Sequence, residues 1–371
     1  MFLSMVKKSI VKKTEAFGIS QKAPVFFGTS PFILLKGLLA LYCSYITKKE
    51  DDSMSVTIET IQEARGRIAP YIVKTPLLRL QNLDPFLGCK VYAKAECMQI
   101  TGAFKLRGAL NKLLSLPQEQ LARGVVAASS GNHGRAVAYG AKMLGTTATI
   151  VMPRTAPPLK VENIRALGAE VVLCDVSERF EIAAKICAER GAVSIPPFND
   201  EAILAGQGTA GIEIFEQAPD LDLVIIPVSG GGLIGGVSTA VKSLAAQMKV
   251  YGAEPAALPR YSASLAAGSP VTVERHFSIA DALAADTPGS ICFPQVQKYV
   301  DGVVAVEDDY LLKGMKLLLT EGKVLAEPAA CIGLGAVLQG LITVTPETKV
   351  CFLLSGGSVG LDQLDILKKT V

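Results

Sequence analysis

Between Gly124 and Ile195 the sequence alternates short apolar runs with amphipathic stretches, and a glycine closes each of these stretches. Gly124–Ser129, Thr147–Met152, Glu170–Cys174 and Ala192–Ile195 read as strands. Arg135–Leu144, Leu159–Leu167 and Glu178–Arg190 read as helices, stopped by Gly145, Gly168 and Gly191. Glycine is the expected residue just past a helix, where the chain turns left-handed. Strands apolar on both faces and joined by helical crossovers predict a parallel sheet covered on both sides. The pattern returns in the strand Leu221–Val228, the helix Leu233–Ala246 and the strands Lys249–Ala253 and Lys349–Leu354, and a helix is predicted over 56–68.

The predicted fold is therefore α/β with two doubly wound parallel-sheet domains. Residues 120–198 would form the smaller domain, and 54–119 with 199–371 the larger. A chain of 371 residues is long enough for two such cores. Tryptophan is absent, so those cores must be built from Ala, Val, Ile and Leu.

Residues 1–53 differ from the rest, with eight lysines and no arginine. Their apolar run, Phe32–Ile46, is broken by Lys36 and is shorter than the ~20 residues a membrane span needs. Three readings stay open: a poorly ordered appendage, with Met54 as a candidate true start; a targeting segment; and a surface-lying anchor. The first is the expectation, because the predicted strands and helices begin only after Met54.

A net charge of +3 without a Lys/Arg stripe argues against nucleic acid. The cysteines at 43, 89, 97, 174, 187, 292, 331 and 351 form no C-x-x-C pair, and the only histidines are His133 and His276. A zinc cluster is not expected; free thiols in a reducing cytoplasm are.

Leu221–Leu233 runs from a strand through Ser229-Gly230-Gly231-Gly232 into a helix. Glycines let backbone N–H groups approach an anion, and the helix start adds positive potential, so the turn is a candidate phosphate cradle. No Gly-Lys-Ser/Thr follows, so it is not a P-loop. Gly230, Gly232 and Gly235 also satisfy G-x-G-x-x-G, and Glu254 ends the next strand, so on this segment alone a nicotinamide site stays open.

A second segment, Lys94-Ala95-Glu96-Cys97-Met98-Gln99-Ile100-Thr101-Gly102-Ala103-Phe104-Lys105-Leu106-Arg107-Gly108-Ala109, closely resembles the lysine block of fold-type II pyridoxal-phosphate (PLP) enzymes of the serine/threonine dehydratase and serine racemase family, tryptophan synthase β-like in fold. Only Ala103 departs, where serine is frequent. Ser129-Ser130-Gly131-Asn132-His133-Gly134, Ala205-Gly206-Gln207-Gly208-Thr209, the glycine turn, Ala326-Glu327-Pro328 and Leu354-Ser355-Gly356-Gly357 follow in the family's order. The resemblance covers about residues 56–366.

It implies that Lys105 carries PLP as a Schiff base and later moves the substrate's α-proton. Phe104, Asn132, Gly230, Gly231, Gly232, Leu233, Glu327 and Ser355 would complete the cofactor site, with Asn132 at the cofactor's phenolic oxygen and Ser355 at its ring nitrogen. Ser129, Ser130, Gly131, Asn132 and His133 would hold the substrate carboxylate at a helix start. His133 looks like a general base in isolation; in the family it shapes the loop.

The implied reaction is dehydration and deamination of L-threonine and/or L-serine to 2-oxobutanoate or pyruvate plus ammonia. Ser130 brings in an alternative, since racemases of the family carry serine there and racemisation requires acid/base groups on both faces of Cα. Pro197-Phe198-Asn199-Asp200 matches the dehydratases, which makes β-elimination the leading expectation and serine racemase the alternative. A nicotinamide oxidoreductase and a non-catalytic binding module are the remote readings. Ser229 replaces a glycine common in the loop, and Cys331 stands where glycine is usual. Glu254 matches a carboxylate that binds a divalent cation in racemases, yet Arg260 replaces the second acid, so no metal is expected. The sequence stops at Val371, which leads to the expectation of no regulatory domain. A cytoplasmic homo-oligomer, dimer or tetramer, is expected by analogy.

Overall fold

The computed structural model describes residues 56–129, 131–156 and 158–368. The expectations for the extension, for Met54 and for Ser130 fall outside them.

Among the described residues, ten strands build two sheets. The larger has the order β1-β2-β10-β7-β8-β9, made of Leu77–Arg79, Lys90–Lys94, Lys349–Leu353, Leu223–Pro227, Lys249–Pro255 and Gly302–Val306. All its pairs are parallel except β1 with β2, an antiparallel edge. The smaller has the order β5-β4-β3-β6, made of Glu170–Cys174, Ala148–Pro153, Val125–Ala128 and Val193–Ser194, and is wholly parallel. Burial explains the sequence pattern: β4 and β7 are buried along their whole length.

Three strands were not read from the sequence. β1 is a three-residue edge. β2, Lys-Val-Tyr-Ala-Lys, carries a lysine at each end that breaks the apolar run. β9, Gly-Val-Val-Ala-Val, follows the helix Cys292–Tyr299, which ends at Val300 with no closing glycine.

Helices around these sheets include α1 (Ile58–Ile68), α2 (Lys105–Ser115), α3 (Asn132–Leu144), α4 (Pro158–Ala166), α5 (Arg179–Arg190), α6 (Glu201–Gln217), α7 (Gly232–Leu244) and α8 (Arg260–Ala267). The last of these ten strands, β10, inserts between β2 and β7, pairing Leu353 with Lys94 and Phe352 with Ile225. Because these strands run parallel, their carboxyl ends share one edge. That edge carries the segments leading to Lys105, to Ser355 and to the glycine turn. Ligands of open α/β sheets bind outside such an edge.

The Ala205–Thr209 motif lies inside α6 and makes close helix crossings. A Cβ on Gly206 would come 2.6 Å from the Arg107 carbonyl oxygen of α2, and one on Gly208 would come 2.8 Å from the Gly236 carbonyl oxygen of α7. α6 thus fixes α2 and α7, the two helices that begin at the lysine and at the glycine turn.

Candidate active site

The segment before Lys105 is clamped onto the end of β10. Cys97 N donates to Leu354 O at 3.0 Å, Phe104 N to Ser355 O at 3.0 Å, and Gly357 N to Gly102 O at 2.9 Å. The clamp holds Lys105, the first residue of α2, beside Ser355, whose residue is 3% exposed. Glu327 N joins the same edge by donating to Gly356 O at 2.9 Å.

Lys105 Nζ donates to Pro197 O at 2.6 Å and lies 5.0 Å from the centre of the Phe104 ring. Burial disfavours its charged form and brings its pKa down to about 8. This is the direction that an amine nucleophile requires.

One cavity of about 720 Å³ takes in the first residues of three helices, Lys105 of α2, Asn132 of α3 and Gly232 of α7. Phe104, Ser129, Gly131, His133, Gly230, Gly231, Leu233, Glu327 and Ser355 line it with them. Helix starts present N–H groups that have no intrahelical acceptor, and with them positive potential. The first turns of α3 and α7 are therefore two candidate anion sites lining one cavity.

The glycines of the α7 turn are required. Gly231 sits at φ +99°, in the left-handed region, and a Cβ there would overlap the Tyr261 hydroxyl. A Cβ on Gly230 would strike the Phe198 ring. The turn is thus packed tightly behind. At the start of α3 a Cβ on Gly131 would meet nothing within 4 Å, so that turn faces open space.

Asn132 Nδ2 donates to both Glu327 oxygens, at 2.9 and 3.0 Å, and its Oδ1 accepts from Ser358 Oγ at 2.5 Å. Burial raises the Glu327 pKa to about 7, while the Asn132 hydrogen bond opposes the rise. This approach across 195 residues left no signal in the sequence.

His133 lies 2.8 Å from Ile195 O through Nε2. A carbonyl only accepts, so Nε2 carries the proton and Nδ1 the lone pair. Nδ1 has no partner among the described residues. Burial, with Lys105 nearby, pushes the pKa down to about 3, so the ring is neutral at pH 7.

The Pro197–Asp200 run holds the cavity wall. Pro197 O receives the Lys105 amine, Asn199 Oδ1 accepts from Ile291 N at 2.8 Å, and Asp200 caps α6 while pairing with Lys112 at 2.6 Å. The other charged residues of the lysine block are structural. Arg107 pairs with Glu96 at 2.8 Å and with Glu213 at 2.7 Å, and Lys94 pairs with Glu213 at 2.6 Å. Gln99 binds both backbone groups of Val73. Cys331 packs in the core of the larger sheet.

The nicotinamide alternative fails at Glu254. That carboxylate is 0% exposed and accepts from Tyr261 N, Ser262 N and Ser262 Oγ, so it offers nothing to a ribose. Among the described residues, no group of three or more His, Cys, Asp or Glu could hold a metal, and no helix is long and apolar enough to cross a membrane.

The cavity fits pyridoxal phosphate: an amine of lowered pKa, a side-chain-free glycine turn at a helix start and a hydroxyl at Ser355 line one space, and the start of α3 opens on the same space. The profile of the family described as "Pyridoxal-phosphate dependent enzyme" matches residues 68–356. An L-threonine ammonia-lyase of Thermotoga maritima is 42% identical over 312 residues, covering 84% of this chain and 77% of the relative. A serine racemase of Arabidopsis thaliana is 41% identical over 319 residues, covering 84% and 96%. The solved structure of maize serine racemase superposes with a TM-score of 0.80 at 39% identity, covering 85% and 97%. With its lysine block, its glycine cradle and most of its length matched, the chain belongs to the pyridoxal-phosphate dependent enzyme family.

Proposed function

We propose that the chain expels the β-hydroxyl of a small β-hydroxy-α-amino acid, L-threonine and/or L-serine, as water, and that the released enamine takes up water and loses ammonia, giving 2-oxobutanoate or pyruvate. The observation that carries this reading is the Lys105 amine, with its pKa near 8, in one cavity with the starts of α3 and α7. Pyridoxal phosphate, when bound, draws electron density away from the substrate Cα and so acidifies its proton. Lys105 holds the cofactor and takes that proton as base. The Gly230–Gly232 amides hold the phosphate. Ser129, Gly131 and the first turn of α3 hold the substrate carboxylate, and Asn132 and Glu327 border the cofactor ring. Ser355 offers a hydroxyl to the ring nitrogen, and a hydroxyl cannot supply the full proton an aspartic acid would. That weaker electron demand suits loss of a β-hydroxyl over transamination.

Interconversion of serine enantiomers is the second reading. Ser130 supports it as a candidate acid/base on the face of Cα opposite Lys105. The domain division at 120–198, a homo-oligomer and a cytoplasmic location belong to the same proposal, and size-exclusion chromatography tests the second of these.

Release of 2-oxo acid, followed across threonine, serine and 3-hydroxyaspartate and set beside D-serine formation from L-serine, tests the assignment. Elimination should dominate, and Ser130→Ala should keep elimination while losing racemisation. Enantiomer exchange without oxo-acid release would overturn the leading reading in favour of the second.

A further inference from the structure

Glu254 and Arg260 form a fully buried pair, each 0% exposed. Glu254 Oε1 accepts from Ser262 N at 2.7 Å and Ser262 Oγ at 2.8 Å. Its Oε2 accepts from Tyr261 N at 2.9 Å and lies 3.5 Å from Arg260 Nε. Arg260 Nε donates to Leu258 O at 2.9 Å and Nη1 to Leu283 O at 2.7 Å, while Nη2 has no partner among the described residues.

A carboxylate out of water must be neutralised or paired. A hard divalent ion would demand about six oxygen ligands. Of the oxygens that could serve here, Glu254 Oε2 and the Leu258 carbonyl face the guanidinium instead, and Glu254 Oε1 is taken by Ser262. Asp286, the other acid near Arg260, is paired with Arg275 at 3.1 Å. The site therefore does not fit the cation that family resemblance suggests at Glu254.

We propose that Arg260 is an internal cation standing in place of a divalent ion at Glu254, and that the pair braces the phosphate cradle from behind. Two routes lead from the pair to the cradle. Glu254 fixes the backbone of Tyr261, whose hydroxyl donates to Gly230 O at 3.2 Å and fills the space behind Gly231. The Tyr261 ring is held in turn by stacking on Phe293 with centroids 6.4 Å apart. On the other side Arg260 holds Leu283 in the cavity wall, and Ala285 N, two residues on, donates to Ser229 Oγ at 3.2 Å. Tyr261 and Arg260 are thus positioning residues for a cradle they do not enter. The proposal rests on the cofactor assignment only for its second readout.

The first readout is the thermal midpoint of the purified protein in EDTA, MgCl2 or CaCl2, all at millimolar concentration. The wild type should melt at one temperature in all three; a midpoint raised several degrees by either ion would overturn the proposal. Arg260→Asp should melt about 5–10 °C lower in EDTA and recover with CaCl2 or MgCl2, because a second carboxylate beside Glu254 then calls for an ion. An Arg260→Asp protein as stable as wild type in EDTA would also overturn it. If that variant does not fold, Arg260→Lys should melt well above Arg260→Met, and the reverse order would count against a charge role. The second readout is cofactor retention: Tyr261→Phe should weaken PLP affinity about tenfold, and an unchanged affinity would remove the brace from the proposal.

Discussion

The side-chain amide of Asn132 donates to both oxygens of the buried Glu327 carboxyl, at 2.9 and 3.0 Å. Burial holds the Glu327 pKa at about 7, against an ordinary 4.5. A carboxyl whose folded pKa lies above its unfolded one binds more protons when folded, so its ionisation weakens the fold. The penalty is absent below pH 4.5, grows as pH rises, and is complete above pH 7. The gap between 4.5 and about 7, at about 1.4 kcal/mol per pH unit, is on the order of 3 kcal/mol. Glu327→Gln keeps an acceptor for Asn132 and removes the titration. In cofactor-free protein the stability gap between this variant and wild type should widen, in favour of the variant, between pH 5 and pH 8. Urea midpoints across that range measure it, and a flat gap would refute the assignment.

Arg107 is the only cation bonded to both Glu96 and Glu213 among the described residues, and its side chain is 0% exposed. Lys94 shares Glu213 but forms no hydrogen bond with Glu96. Arg107→Met keeps much of the volume and leaves Glu96 with the Thr75 hydroxyl alone. Stranding a buried charge costs about 3–5 kcal/mol. The variant should lose stability by that amount in urea titrations. A loss below about 1 kcal/mol would mean the pair is not what fixes the lysine block.

Much of the fold was legible because the parallel strands are buried on both faces, which writes unbroken apolar runs such as Leu223–Pro227, and because Gly145 and Gly191 cap their helices in the left-handed conformation. Lys90–Lys94 is not legible because the lysines that end it, paired in the fold with Glu347 and Glu213, leave only three residues between them. The site was legible wherever its residues are neighbours in sequence, as at Phe104-Lys105 and Gly230–Gly232. Contacts between distant segments were not. Tyr261 behind Gly231, Glu327 against Asn132, and Arg107 between two glutamates each join segments too far apart to leave a local pattern. The Pro197–Asp200 run carries a family likeness in the sequence but no local sign that its backbone receives the Lys105 amine.

Lys105 itself sets the final prediction. With its pKa at about 8, about a tenth of the amine is uncharged at pH 7, against about 0.03% for an ordinary lysine near 10.5. Burial thus gives the cavity roughly 300 times more reactive amine than a surface lysine would have. The capture of pyridoxal phosphate by cofactor-free protein, followed by absorbance, should speed up about tenfold per pH unit below pH 8 and level off above it. Lys105→Ala should bind the cofactor without covalent capture and lose elimination by several orders of magnitude. A capture rate that keeps climbing to pH 10 would mean that the amine titrates as if in water, and the cavity would then have no part in activating it.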